Sequence, residues 1–241
     1  MTHQKRLAAP RSWTVPRKTS AWVLSPRPGP HAKERSMPLG LFLREVLRVA
    51  ETRREARQML LEGRVLVNGV PRKEVRLPVG FFDVLSLTAA GKHYVVVPDR
   101  RARLRLREIP AEQARTKLSR VTGKTVVKGG KVQLHLFDGT NLAAGGEFRS
   151  GDGLVLSLPD RKVVRHYPRK PGTRVFVAGG SRAGTLGTLQ EVRTMRGSAP
   201  DVVRIAGVAG HEGTLETIED YVFPVGPEEE KFLREETPRG N

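Results

Sequence analysis

Apolar residues recur at helical spacing early in the chain and at strand spacing through most of the remainder. Leu39, Phe42, Leu43, Val46 and Leu47 fall at i, i+3, i+4, i+7 and i+8, with Arg44, Glu45 and Arg48 opposite. That period predicts an amphipathic helix, and Pro38 suits its first turn. A second helix is predicted from Thr52, because Thr52 and Glu55 form the T-x-x-E pattern of a capping box. Gly63 supplies its stop. Ala56, Met59 and Leu60 share one face of this helix, and Arg53, Arg54 and Arg57 lie on an adjacent stripe about 100° wide. A short strand, Val65 to Val67, a turn at Asn68-Gly69 and apolar strand material around Asp83 to Leu87 follow.

From residue 93 the pattern alternates. Ala102, Leu104 and Leu106 point one way and Arg101, Arg103, Arg105 and Arg107 the other, so Arg101 to Arg107 reads as a strand. A helical segment is expected near Pro110 to Val121. Lys124, Lys128 and Lys131 flank a Gly129-Gly130 turn, Val132, Leu134 and Leu136 alternate after it, and Leu154 to Leu158 forms a further strand. Residues 171–223 read as strands at Arg174–Val177, Thr188–Val192, Val202–Ile205, Gly213–Ile218 and Tyr221–Phe223, with the glycine cluster Gly179, Gly180, Gly184 and Gly187 between the first two. Short strands with glycine turns suggest a small barrel. After Pro224 the chain is acidic and reads as a frayed tail.

Charge changes this picture. The net charge is +18, and it is unevenly spread. Residues 1–36 hold eight Lys and Arg against one acid, and residues 93–170 hold 17 against seven, whereas residues 171–223 hold five against six. Self-repulsion on that scale calls for a polyphosphate counter-charge, which points to a nucleic-acid binder. Residues 1–36 also carry Pro10, Pro16, Pro26, Pro28 and Pro30, which oppose regular structure. Trp13 and Trp22, the two tryptophans of the protein, argue against a merely solvated tail. The expectation is an arm, mobile in the free protein, that orders on RNA or on a neighbouring domain. With 5% aromatic residues, several small cores are expected rather than one large one.

Catalytic chemistry is not indicated. The absence of Cys removes disulfides, thiolate metal sites and cysteine nucleophiles. Gly179 to Thr185 resembles a phosphate-binding loop but lacks the lysine that would reach the β- and γ-phosphates. His3, His31, His93, His135, His166 and His211 are scattered without metal-ligand spacing. Asp138-Gly139 and Asp152-Gly153 read as turns. The arginine-leucine-aspartate signature of uridine-isomerising enzymes, which also use two-helix RNA-binding modules, is missing. No apolar run is long enough to span a bilayer, and no secretory h-region is evident, so a cytoplasmic chain is expected. No catalytic residues, metal ligands or cofactors are assigned.

These pieces resemble one family. Lys5 to Trp13, Pro16-Arg17-Lys18 and Arg27 to His31 are similar to the N-terminal signature of the small-subunit ribosomal S4e family. Arg54 to Arg57, Glu62 to Val67, Pro78-Val79-Gly80, Lys124 to Leu134, Phe137 to Asn141 and Thr217 to Phe223 continue the resemblance in order along nearly the whole chain. It implies a multidomain α+β protein. The expected parts are a basic, Pro-rich, extended N-terminal arm over residues 1–36, an αα-β RNA-binding module of the S4 type over 37–92, a β-rich central domain over 93–170, a KOW-type SH3-like barrel over 171–223 and an acidic tail over 224–241. The short, cysteine-free sequence looks archaeal.

The expected function is that of a structural constituent of the small ribosomal subunit, with ribosomal RNA and neighbouring ribosomal proteins as partners and no membrane. Candidate RNA contacts are Lys5, Arg6, Arg11, Trp13, Arg17, Lys18, Arg27 and His31 in the arm, and Arg53, Arg54, Arg57 and Arg64 in the module. Arg101, Arg103, Arg105, Arg107, Lys124, Lys128 and Lys131 complete the set. The last barrel offers only Ser181-Arg182-Ala183-Gly184-Thr185 in its loop, which argues against direct RNA contact there. An RNA-modifying enzyme would need a catalytic constellation, and an elongation factor bearing a KOW barrel would need a polymerase-binding domain. Neither is read in the residues.

Overall fold

The computed structural model describes residues 3–127, 129–130, 132–143, 145–195, 197, 199–208 and 213–234. Two compact units emerge, Met1–Val97 with Arg103–Lys117 and Ser157–Asp160, and Pro98–Ala102 with Leu118–Leu156 and Arg161–Asn241. Their limits do not coincide with 36, 92, 170 and 223, which mark changes of sequence character.

In the first unit, β1 (Gln4–Lys5) pairs antiparallel with β2 (Trp22–Val23). β3 (Ser36–Pro38) leads into α1 (Leu39–Leu41). The helix predicted through Leu47 is cut short and widened. Leu47 N–H bonds the Phe42 carbonyl five residues back at 2.9 Å, and Arg48 turns left-handed at φ 54°. The expected apolar face is nevertheless the buried one, through Leu39, Phe42 and Leu43. Gly40 lets this turn approach closely, since a Cβ there would meet Val75 Cγ1 at 2.3 Å.

α2 (Arg53–Leu61) starts and stops where its sequence signals stand. Thr52 Oγ1 accepts the Glu55 N–H at 3.2 Å, and Gly63, at φ +72°, places Arg64 N–H on the Met59 carbonyl at 3.1 Å. β4 (Val65–Val67), β5 (Val70–Pro71), β6 (Pro78–Gly80), β7 (Val84–Leu87), β8 (Lys92–Pro98) and β9 (Leu104–Ile109) follow. Asn68 and Gly69 both take positive φ, as the two-residue hairpin requires. The sheet runs β5-β4-β7-β8-β9, with a separate β3-β6 pair.

The arginine-rich strand is displaced. β9 begins at Leu104, so Arg105 and Arg107 lie on it, whereas Ala102 is left-handed at φ 54° and Arg101 sits in a turn. The reading of residues 3–36 as an extended arm is also corrected. Trp13 is 3% exposed, with its indole N–H on the Ser36 carbonyl at 2.6 Å. Arg6 is buried in a bidentate pair with Glu45, at 2.7 and 3.1 Å. Prolines prevent long regular elements here, but the Arg17 guanidinium satisfies the carbonyls of Leu7, Ala9 and Pro10 in their place. Native-state trypsin digestion should therefore find the bonds before Arg35 no more sensitive than the rest of this unit. Rapid release of an N-terminal fragment from the free protein would show the segment to be undocked.

The expected helix near Pro110 to Val121 is a single tight turn, Gln113–Arg115, followed by the long strand β10 (Thr116–Val126). β-branched residues Thr116, Val121, Thr122, Thr125 and Val126 favour the strand, and Leu118 and Val121 are buried from it. In the second unit come β11 (Val132–Leu136), β12 (Asn141–Ala143), β13 (Gly153–Ser157) and β14 (Val163–Tyr167), in the sheet order β12-β11-β10-β13-β14. Its core is Val121, Leu134, Leu136, Leu154 and Leu156.

A second five-stranded sheet comprises β15 (Arg174–Val177), β16 (Thr185–Arg193), β17 (Val202–Ala206), β18 (Leu215–Ile218) and β19 (Val222–Pro224), ordered β18-β17-β16-β15-β19 with all neighbours antiparallel. It encloses a separate core of Val175, Val177, Leu189, Val203, Ile205, Val208 and Val222.

Arg120 is buried against the edge-to-face pair of Phe137 and Phe223, whose rings are 4.9 Å apart, and its guanidinium lies 5.9 and 5.2 Å from their centroids. It donates to the Glu219 carbonyl at 2.7 Å and to Asp220 at 3.1 Å.

The acidic tail is corrected too. Residues Pro227–Leu233 form α3, with Glu229, Glu230 and Leu233 buried. Glu229 meets Arg165 and the Tyr167 hydroxyl, both at 3.0 Å, and Glu230 meets Arg174 at 2.7 Å. Hydrogen bonding from Arg174 holds the Glu230 carboxyl below its ordinary range. Residues 235–241 lie outside the described set.

Candidate nucleic-acid interface

The arginine stripe of α2 opens onto a groove of about 660 Å³. Arg53, Arg54 and Arg57 form one wall, and Arg27, Lys73 and Arg76 contribute from other segments of the same unit. Among the described residues Glu74 is the one carboxylate along it, and it pairs with Arg27 at 2.7 Å. The cap at Thr52 fixes where the stripe begins. Burial of Ala56 and Leu60 on the opposite side then turns Arg53, Arg54 and Arg57 outward. Arg53 and Arg57 are four residues apart and Arg54 and Arg57 three, spacings at which like charges weaken a helix. No hydrogen bond or ion pair joins these three arginines to another of the described residues. The opposite wall is held by backbone: Arg27 N–H donates to the Arg76 carbonyl at 2.9 Å, and Arg76 Nε to the Ser25 carbonyl at 2.8 Å. A rigid concave surface with five unneutralised cations can hold consecutive phosphates.

The other expected contacts divide by environment. Lys5, Arg11 and Lys18 are exposed, and Arg64 is exposed beside Glu62 at 2.6 Å. Lys124 is exposed on β10, while Lys128 and Lys131 lie outside the described residues. Arg105 is exposed, Arg103 and Arg107 half-buried, and Arg101 exposed in its turn.

Arg6, Trp13 and His31 are not surface groups. His31 Nε2 lies 2.8 Å from Asp83 Oδ2, both side chains buried. Arg17 is committed to backbone carbonyls, as above. Lys73 and Arg76 were not singled out from the sequence. Their charge was visible beside Arg72, but nothing local placed them across from α2.

Among the described residues no helix is long and apolar enough to cross a membrane, and no group of three His, Asp or Glu could hold a metal ion.

Residues 2–34 match the RS4NT domain, residues 41–85 the S4 domain, and residues 90–163 the ribosomal family S4e. The small ribosomal subunit protein eS4 of Archaeoglobus fulgidus is 44% identical over 224 residues, 93% of both chains. That of Methanocella arvoryzae is 42% identical over 93% of this chain and 94% of its own. The crystal structure of the 30S ribosomal protein S4e from Thermoplasma acidophilum superposes with a TM-score of 0.69 at 30% identity, covering 80% of this chain and 96% of that one.

Proposed function

The chain belongs to the S4e family of ribosomal proteins, and from that premise we propose that it holds ribosomal RNA on the basic groove of α2. It is a structural, non-enzymatic constituent of the small ribosomal subunit, partnered by ribosomal RNA and neighbouring ribosomal proteins. The observation that carries the proposal is the convergence of Arg53, Arg54, Arg57, Lys73 and Arg76 around one concavity. Phosphates enter it and release counterions, while the fixed walls set the orientation of the RNA helix. Lys5, Arg11, Lys18, Arg103, Arg105 and Arg107 are further candidate contacts of the same unit, and Arg101 and Lys124 are candidates on the other.

The sheet β15–β19 we read as a KOW-type SH3-like barrel. Gly184, at φ +77°, supports this reading by making the tight turn into β16, and Gly187 leaves the space that Ile205 fills from β17. The barrel contributes little to RNA affinity, because residues 171–223 carry no excess of cations and Arg204 is clamped between Glu191 at 3.2 Å and Glu216 at 2.7 Å.

Replacing Arg53, Arg54 and Arg57 together by Gln, which keeps polar stems on the helix, tests the assignment. Filter binding to small-subunit ribosomal RNA should weaken at least tenfold, and the salt slope should fall by about one unit per lost contact. Replacing Arg182 and Arg193 should change neither much. Equal losses from both sets would return the last barrel to the RNA surface.

A further inference from the structure

A second groove, of about 670 Å³, lies beside the β1–β2 pair. Its walls include Leu7 and Trp22, which are 68% and 57% exposed, together with Lys5 and Lys18. A tryptophan this open is informative in a protein whose other tryptophan is 3% exposed. Its position is fixed rather than frayed. Trp22 stands opposite Lys5 in the antiparallel register, Arg6 N–H bonds the Ala21 carbonyl at 2.9 Å, and the His3 ring meets the indole edge-on at 5.8 Å. Arg17, through the carbonyls of Leu7, Ala9 and Pro10, holds the other side of the groove. The large apolar surface is therefore organised before any ligand arrives, which lowers the ordering cost of binding.

Among the described residues no carboxylate lines this groove. Lys5 and Lys18 form no ion pair with another described residue. An exposed indole with two available ammonium groups along the same groove fits a nucleotide: a π-face for the base and cations for its flanking phosphates. A protein partner would leave the two lysines to be matched by acids of its own.

We infer that Trp22 stacks an unpaired base of ribosomal RNA, with the flanking phosphates on Lys5 and Lys18. This deepens the RNA-binding reading and rests on it. Stacking is tolerant of base identity, so the site selects single-stranded or extruded nucleotides rather than a sequence.

The test uses the full chain and two RNA probes of equal charge, a hexamer of adenylate and an abasic ribose-phosphate hexamer. Because Trp13 is buried, acrylamide quenching reports on Trp22. The adenylate hexamer should shield Trp22 and bind roughly tenfold tighter than the abasic one. Trp22→Ala should abolish that preference, and Trp22→Phe should keep most of it. The Trp13 emission that remains in both variants reports that the unit is still folded. Equal binding of the two hexamers by the parent chain, or an unchanged preference in Trp22→Ala, overturns the inference while leaving RNA binding by the α2 groove intact. So does a Trp22 that stays open to acrylamide on small-subunit ribosomal RNA and is shielded only in the assembled subunit, since a protein then covers it. Failure of the parent chain to bind that RNA at all overturns both readings.

Discussion

Raising the salt from 50 to 200 mM should lower the affinity of this chain for small-subunit ribosomal RNA by roughly 10³-fold or more, if six to ten phosphates are engaged. The net charge of +18 motivates the expectation, but the structure narrows which cations supply it. Arg6 is spent on Glu45, Arg120 on Asp220, Arg165 on Glu228 and Glu229, Arg174 on Glu230 and Arg204 on Glu191 and Glu216. Those pairs hold the fold and release few counterions when RNA arrives. The groove of α2, with Arg53, Arg54, Arg57, Lys73 and Arg76, carries the response instead. A plot of log K against log salt should therefore be steep in the parent and about three units shallower when the three helix arginines are neutral. A flat parent response would remove phosphate contact as the basis of binding.

Asp83→Asn should destabilise the first unit by about 3–5 kcal/mol, the cost of leaving a buried charge without its partner. Asp83 Oδ1 lies 2.6 Å from Lys117 Nζ and accepts from Asn68 at 2.8 Å, while Oδ2 takes His31 and the Gly80 N–H at 2.8 and 2.9 Å. Burial by itself pushes this carboxyl up. His31, Lys117 and the hydrogen bonds outweigh that and hold it far below the usual carboxylate range.

The sign of the pH dependence follows. A carboxylate depressed in the folded state contributes its full stability above the unfolded value of about 3.9 and loses it as pH falls from there toward the folded value. Both tryptophans belong to this unit, so the urea midpoint of Trp emission reports it. The parent should lose stability between about pH 5 and pH 2, and Asp83→Asn should lose less over the same interval. Pairing Asp83→Asn with Lys117→Met should recover part of the loss, because the stranded ammonium is gone. An unchanged midpoint in the single variant would contradict the account.

The features that the sequence determined alone are those whose causes lie within a few residues. Thr52 and Glu55 start α2 and Gly63 ends it, and Asn68-Gly69 makes its hairpin. The stripe of Arg53, Arg54 and Arg57 belongs here as well, since helical geometry fixes it once the cap is known.

Tertiary structure decided the remainder, and the deciding partners are distant. Arg6 reads as a free basic side chain until Glu45, 39 residues on, is brought beside it. His31 meets Asp83 across 52 residues, and Arg165 meets Glu229 across 64, so a basic arm and an acidic tail become packed segments. Local propensity near Pro110 gave way to β10, whose two neighbouring strands satisfy a backbone that a helix would have satisfied within itself. Lys73 and Arg76 joined the α2 arginines for the same reason. Charge is written in the sequence, but which charges face each other, and which are left for RNA, depends on contacts that exist only after the chain has folded.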